Sequence, residues 1–160
     1  DCYLISKTIN KKERALIVAD GGIKKYSDII KALGLGADYV MIGSLFNKSL
    51  ESCGRNYFMR IPITRGVADL MYSLGFRIKK EFRGMSTKKV QKKWGNETLK
   101  TSEGVVRRRN VEYRLCGWKD NFEHYLKSAM SYTNSRSLTE FIGKAKFNIV
   151  TNNSHKRYNK

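Results

Sequence analysis

The sequence predicts an α/β fold, because a strand, a helix and a second strand follow one another between residues 15 and 44. Residues 15–19 and 39–42 form short, continuous apolar runs, which are typical of strands buried on both faces of a parallel sheet. Turn residues follow each run, and the segment between the runs has a helical pattern. This order predicts a right-handed crossover that joins two parallel strands.

The helix between the two runs has its own start and stop signals. Ser27 is a suitable N-cap, and Asp28 stands in the first turn, where a negative charge complements the helix dipole. Ile29 and Leu33 lie on one apolar face, and Gly34 predicts the end of the helix.

Glycines and hydrogen-bonding side chains follow both predicted strands. Asp20, Gly21 and Gly22 come after the first strand, and Gly43 and Ser44 after the second. Parallel sheets and barrels bind their ligands at these carboxyl ends. Glycine lets backbone N–H groups approach an anion closely, and a carboxylate accepts hydrogen bonds from a sugar diol. The pattern favours a nucleotide monophosphate or a sugar phosphate; the alternative is that the glycines only form tight turns.

The remaining elements follow from caps and apolar periodicity. The sequence predicts helices at 45–53, 65–74 and 86–94, a strand at 76–82, an edge strand within 105–115, a helix with an apolar stripe over 122–130, a helix opened by a capping box of Ser137 and Glu140, and a strand at 147–150. Residues 96–102 form a polar loop that suits a flap, and the basic tail at 152–160 is predicted to be disordered.

Five motifs in this order resemble the IMP dehydrogenase and GMP reductase family. They are Ala-Asp-Gly-Gly-Ile at 19–23, Val-Met-Ile-Gly-Ser at 40–44, Glu-Ser at 51–52, Arg-Gly-Met-Ser at 83–86 and Ser-Glu-Gly at 102–104. The resemblance covers about residues 16–151 and implies the C-terminal portion of a TIM (β/α)8 barrel. That portion comprises the last two strands, a flap and the C-terminal helices.

The resemblance also implies a substrate site for a purine nucleoside monophosphate, GMP or IMP. Asp20 would hold the ribose, and backbone and hydroxyl groups at Gly21, Gly22, Gly43 and Ser44 would hold the phosphate. A second group of residues follows the strand at 76–82. The base would contact Gly84, Met85 and Ser86, and Arg83 would supply charge near the phosphate, where relatives use a tyrosine hydroxyl that Phe82 lacks.

Glu103 is the predicted catalytic residue by the same resemblance. In GMP reductases this glutamate contacts the purine and takes part in proton delivery to the departing ammonia, which suits a carboxyl group whose pKa is shifted towards neutrality. IMP dehydrogenases carry an Arg-Tyr pair in a longer flap, and no such pair occurs between Ser86 and Glu103. The interpretation is therefore GMP reductase-like, converting GMP to IMP and ammonia with NADPH. The alternative is an IMP dehydrogenase that oxidises IMP with NAD.

The family's chemistry also needs a cysteine nucleophile and a threonine on one loop, and none of Cys2, Cys53 and Cys116 matches that loop. We therefore expect the chain alone to be inactive. With 160 residues it is too short for a complete barrel of about 250 and starts at an aspartate, which suits a C-terminal fragment forming one partial barrel domain over 1–160. By resemblance the full-length enzyme is a homotetramer.

The net charge of +18 raises a different possibility. Residues 79–109 hold eleven Lys or Arg against three Glu, a net charge of +8. A solvated basic face that also attracts anionic nucleotides would explain this charge, and a non-catalytic half-barrel that binds nucleotides or RNA is the alternative. Few aromatic residues interrupt the basic segment and no RNA-binding signature is present, so nucleic acid is not the expected partner.

Localisation and metal binding follow from absences in the sequence. No apolar run approaches the ~18 residues of a membrane span, and the three cysteines lack CxxC spacing. We therefore expect a cytoplasmic protein with reduced thiols and no membrane contact. His124 and His155 lack the spacing of metal ligands, so no metal site is predicted.

Overall fold

The computed structural model describes residues 2–9, 14–83, 106–148 and 150–158. Contacts divide the chain into two compact units. The first unit comprises residues 1–41 and 124–160, and the second comprises residues 42–123. Each unit has its own core and is described in turn.

The first unit contains the predicted strand–helix–strand segment. Its elements are α1 (Cys2–Thr8), β1 (Val18–Ala19), α2 (Tyr26–Gly34), β2 (Tyr39–Val40), the end of α4 (Leu115–Tyr132), α5 (Leu138–Phe141) and α6 (Asn152–Tyr158). Strands β1 and β2 are parallel, with Val18 opposite Tyr39 and Ala19 opposite Val40. The parallel pairing predicted from the sequence is therefore confirmed.

Two details of this segment differ from the predictions. The N-cap of α2 is Lys25 and not Ser27, because the Asp28 carboxylate accepts hydrogen bonds from the backbone N–H groups of Lys24 and Lys25 and so starts the helix earlier. The strands are also not buried on both faces, since Val18 is 50 % exposed. In the part of the chain that the structure describes, this sheet has only two strands, too few to cover both faces.

The core of the first unit joins α2 to the segment around α5. Leu33 is 7 % and Phe141 2 % exposed, and the Gly143 N–H donates to the Leu33 carbonyl over 3.1 Å. Ser137 caps α5 by accepting from the Glu140 N–H, which confirms the predicted N-cap. The Glu140 carboxylate accepts from the Arg136 N–H over 2.8 Å, one residue before the position that a capping box uses. Residues 147, 148 and 150 are not in a strand, and α6 occupies most of the segment predicted to be a disordered tail.

The second unit is an antiparallel sheet with one helix packed on it. Its elements are a 3₁₀ helix (Phe46–Lys48), β3 (Asn56–Phe58), β4 (Ile61–Ile63), α3 (Arg65–Ser73), β5 (Ile78–Arg83), β6 (Val106–Asn110) and the start of α4. The strand order is β4-β3-β5-β6. Leu50, Ala68, Ile78 and Val111 form its core. The predicted helix at 65–74, strand at 76–82 and edge strand within 105–115 are all present, and the helix predicted at 86–94 lies outside the described residues.

The helix predicted at 45–53 is wrong, because it is reduced to the 3₁₀ turn. Backbone groups that a helix would use are paired elsewhere: the Leu50 N–H donates to the Tyr113 carbonyl over 3.0 Å, and the Lys48 carbonyl accepts from the Glu112 N–H over 2.9 Å. The sequence also gave no prediction of the β3–β4 hairpin, whose turn requires Met59 at a φ of 54°.

Asp38 fastens the amino ends of β1 and β2. Its carboxylate accepts a hydrogen bond from the Ile17 N–H over 2.8 Å and forms an ion pair with Arg14, and its side chain is 11 % exposed. Burial opposes ionisation of this carboxyl, but the hydrogen bonds from Ile17 and Arg14 outweigh that effect and lower the pKa of Asp38. None of the described helices is long and apolar enough to cross a membrane.

Asp38→Asn should change how stability depends on pH. A lowered pKa in the folded state stabilises the fold above the ordinary value of 3.8, and this stabilisation is lost as the pH falls through the folded-state pKa. The variant should be less stable than the original chain by about 1 kcal/mol at pH 7, and the two should converge in acid. Urea denaturation between pH 7 and pH 2 measures this difference.

Asp120→Asn is the matched control, because that carboxylate is 72 % exposed and should contribute little at any pH. The free energies of unfolding of Asp38→Asn and the original chain could instead differ by the same amount from pH 7 down to pH 2. That result would show that Asp38 does not supply the stabilisation that is lost in acid.

Candidate functional site

The loop after β1 carries the first group of predicted binding residues. Asp20 is exposed, and Gly21 and Gly22 adopt φ angles of 90° and 74°. Residues with a side chain rarely adopt this left-handed backbone conformation, so the φ angles favour glycine at both positions. Crowding does not require glycine, because a Cβ atom at either position would meet nothing within 4 Å. The loop therefore presents a carboxylate beside backbone that is open to a ligand.

The pairing of β1 with β2 determines where this loop begins. The Met41 N–H donates to the Ala19 carbonyl over 2.8 Å, which extends the parallel ladder to the last residue of β1. Both strands therefore end at the same edge of their two-stranded sheet, the edge at which parallel sheets hold ligands. Gly43 and Ser44 follow β2 by three and four residues along the chain.

Gly43 and Ser44 open the second unit and belong to a compact turn. The Gly43 carbonyl accepts from the Asn47 N–H over 3.3 Å, and the next residue, Leu45, is buried with its carbonyl accepting from the Tyr113 hydroxyl. Gly43 is exposed and a Cβ atom there would meet nothing within 4 Å, whereas Ser44 is half-buried. Buried neighbours thus fix a turn whose first residue remains open.

Arg83 is the last residue of β5, and its backbone pairs with Val106 of β6. The remaining predicted residues, Gly84, Met85 and Ser86 for the base and Glu103 for catalysis, lie outside the described residues. The structure thus places Asp20, Gly21 and Gly22 together in one loop of the first unit. In the second unit it places Gly43 and Ser44 in one turn and Arg83 at a strand end.

Sequence reasoning missed Lys80, a buried lysine on β5. Its ammonium donates to the carbonyls of Leu50 and Ser52, each over 2.6 Å, in the segment that follows the 3₁₀ helix. The signal was the period of two along β5, which places Lys80 on the same face as buried Ile78. No group of three His, Cys, Asp or Glu side chains suited to a metal ion occurs within the described ranges.

Comparison with known proteins identifies the family of this chain. A family model described as the IMP dehydrogenase / GMP reductase domain matches residues 3–159. The chain belongs to this family. The family predicted from the five motifs is thereby confirmed.

The chain is similar both to inosine-5′-monophosphate dehydrogenases and to GMP reductases. Inosine-5′-monophosphate dehydrogenase of Chlorobaculum tepidum is 35 % identical over 151 residues, which is 88 % of this chain and 28 % of the relative. GMP reductase of Helicobacter pylori (strain ATCC 700392 / 26695) is 33 % identical over 142 residues, which is 89 % of this chain and 37 % of the relative. The chain thus spans about a third of these curated relatives, and both are named for oxidoreductase reactions of purine nucleotides.

A solved structure shows the fold. GMP reductase from Trypanosoma brucei, in complex with guanosine 5′-monophosphate, matches with a TM-score of 0.74 and 23 % identity over 99 % of this chain and 30 % of that one. The predicted fold class is therefore confirmed: the chain has the fold of part of a TIM barrel.

Gly22→Ala tests whether the backbone of the first loop, and not crowding, requires glycine. A φ of 74° should make the alanine variant about 1 kcal/mol less stable, although the added methyl meets no atom within 4 Å. Urea denaturation of the two proteins measures the difference.

Gly66→Ala, in α3, is the matched control, because a Cβ atom there also meets nothing within 4 Å and no left-handed φ occurs. It should be neutral or slightly stabilising, since alanine favours helices. Equal effects of the two substitutions would contradict a conformational requirement at Gly22.

Proposed function

We propose that this chain is the nucleotide-binding C-terminal part of a purine-nucleotide oxidoreductase that reduces GMP to IMP and ammonia. The observation that carries the proposal is the parallel β1–β2 pair with a glycine-containing loop after each strand, in a chain of this family. Open glycines suit a phosphate group, which backbone N–H groups can approach without side-chain interference. The fold agrees with the family, and the choice of the reductase rests on the motifs.

Within this proposal each described residue has a role that its surroundings allow. Asp20, exposed after β1, accepts hydrogen bonds from the ribose diol, since an ionised carboxylate is an acceptor only. Gly21, Gly22, Gly43 and Ser44 bind the phosphate, through backbone N–H groups and the Ser44 hydroxyl. A charged acceptor thereby recognises the ribose, and neutral donors recognise the phosphate attached to it.

Three roles rest on the family motifs. We assign the purine base to Gly84, Met85 and Ser86, and proton transfer to the departing ammonia to Glu103, which acts as a general acid. Arg83 would add a positive charge for the phosphate. The absence of an Arg-Tyr pair between Ser86 and Glu103 favours the reductase over the dehydrogenase.

NADPH would supply the hydride in this reaction. In the alternative, an IMP dehydrogenase that oxidises IMP to XMP, NAD would accept the hydride. The loops after β1 and β2 are assigned to the purine nucleotide. We assign no described residue to the nicotinamide. The chain covers 28–37 % of the two relatives' lengths, and we assign the cysteine nucleophile to residues outside it. The chain alone should therefore bind nucleotide without turnover, and the full-length protein is proposed to be a cytoplasmic homotetramer.

The activity of the full-length protein tests the proposal. With GMP and NADPH we expect ammonia release and NADPH oxidation; with IMP and NAD we expect no NADH. NADH formation from IMP, without ammonia release from GMP, would overturn the reductase assignment in favour of IMP dehydrogenase, to which the 35 % identity also points. RNA binding that weakens steeply with salt, without GMP binding, would favour the RNA-binding alternative suggested by the net charge of +18.

Asp20→Ala should weaken GMP binding by about tenfold or more, because hydrogen bonds to a charged group contribute about 1.5–3 kcal/mol. Isothermal titration calorimetry with GMP measures the dissociation constant. Asp120→Ala removes an exposed carboxylate from α4 and should leave GMP affinity unchanged. Equal affinities of Asp20→Ala and the original protein would exclude Asp20 from the ribose site.

A further inference from the structure

Lys80 is a charged side chain inside the second unit. It is 3 % exposed, its neighbour in the same strand, Ile78, is fully buried, and Asn56 of β3 lies opposite it in the sheet and is 6 % exposed. Removing an ammonium group from water is unfavourable unless other groups replace its hydration. A lysine at this buried position therefore needs hydrogen-bond acceptors for its ammonium, which a hydrophobic residue would not need.

Two carbonyl groups of one loop replace that hydration. The Lys80 Nζ atom donates to the Leu50 carbonyl and to the Ser52 carbonyl, each over 2.6 Å, a short distance typical of charge-assisted hydrogen bonds. Burial lowers the pKa of the Lys80 ammonium, and the Arg65 charge lowers it further, whereas Glu51 and Cys53 raise it. The loop thus wraps its backbone around one cation.

The same loop is held against β5 at a second point. The Glu81 N–H donates to the Arg55 carbonyl over 3.0 Å, and a Cβ atom on Gly54 would lie 2.5 Å from the Glu81 carbonyl oxygen and 3.2 Å from Lys80 Cγ. Only glycine permits this close approach of the two backbones. Lys80 and Gly54 together fasten the loop to the strand.

Hydrogen bonds continue from this attachment to the start of the loop. The Ser52 N–H donates to the Ser49 carbonyl over 3.3 Å, and the Ser52 hydroxyl lies 3.0 Å from the same carbonyl and 3.5 Å from that of Asn47. The Asn47 N–H in turn donates to the Gly43 carbonyl over 3.3 Å. We call residues 43–54 the 43–54 loop. Hydrogen bonds connect this loop from Gly43, at its start, to Leu50 and Ser52, near its end, where Lys80 binds.

We propose that Lys80 is a positioning residue for phosphate recognition, which holds the 43–54 loop so that Gly43 and Ser44 can bind the phosphate. The inference rests on the proposed function, because it takes Gly43 and Ser44 as phosphate ligands. Lys80 acts through backbone carbonyls and does not itself touch the nucleotide. Its loss should therefore weaken phosphate recognition while leaving recognition of the nucleoside intact.

Binding of GMP and of guanosine to the full-length protein separates these effects. Lys80→Met keeps an unbranched apolar stem of similar length but removes the ammonium. We expect its GMP affinity to fall about tenfold or more, because a displaced binding group loses its alignment, and its guanosine affinity to change by less than about twofold. Calorimetry or competition binding gives both constants.

Gly54→Ala is a second variant that disturbs the same loop without changing any charge. Its added Cβ atom would lie 2.5 Å from the Glu81 carbonyl oxygen, so the loop must shift. It should reproduce the selective loss of GMP affinity. Lys79→Met is the matched control: it removes a charge from the adjacent, exposed position of β5 and should leave both affinities unchanged.

The outcomes distinguish this inference from the proposed function. Three results would overturn the positioning role and leave Lys80 as a residue that supports only the fold. Lys80→Met and Gly54→Ala could lose affinity for GMP and guanosine equally, or keep both affinities. Both variants could also fail to fold, as judged by circular dichroism. If the original protein does not bind GMP, the proposed function itself fails.

Discussion

The parallel pairing of β1 with β2 is the constraint on which the first unit depends. Two strands of two residues each cannot be stable alone, so the surrounding contacts must hold them in register. Asp38 does this at the amino ends, where its carboxylate joins Ile17 to Arg14. At the carboxyl end the Met41 N–H extends the ladder to Ala19. The loop that begins at Asp20 therefore starts from a fixed point.

In the second unit, the segment after Gly43 contains little regular structure, so other contacts must hold it in place. The 3₁₀ helix is one turn long. The chain at its end and beyond is held by backbone hydrogen bonds to Glu112 and Tyr113 and by the ammonium of Lys80. A buried cation that binds two carbonyls specifies the path of a loop more narrowly than apolar contacts can, since hydrogen bonds depend on direction. Polar groups inside this unit therefore determine loop geometry.

The sequence predicted the elements whose signals are local. The pairing of β1 with β2 followed from two apolar runs, and the cap of α5 from Ser137 and Glu140, because caps and short strands depend on adjacent residues. The predicted helix at 45–53 failed because Leu50 pairs with Tyr113, which is 63 positions away and invisible to any local pattern. The period of two along β5 places Lys80 on the buried face, but its carbonyl partners lie about 30 residues earlier, and no local pattern identifies them. Of the candidate site, motif order identified the family, while the roles of Asp20 and Glu103 stay predictions.

Hydrogen–deuterium exchange of the full-length protein, with and without GMP, tests the central claim most directly. Exchange reports protection of backbone N–H groups, which are the proposed phosphate ligands. The account predicts that GMP protects peptides covering residues 20–24 and 42–46, and that guanosine protects residues 42–46 much less. Unchanged exchange in both peptides at saturating GMP would contradict it, because the nucleotide would then bind elsewhere.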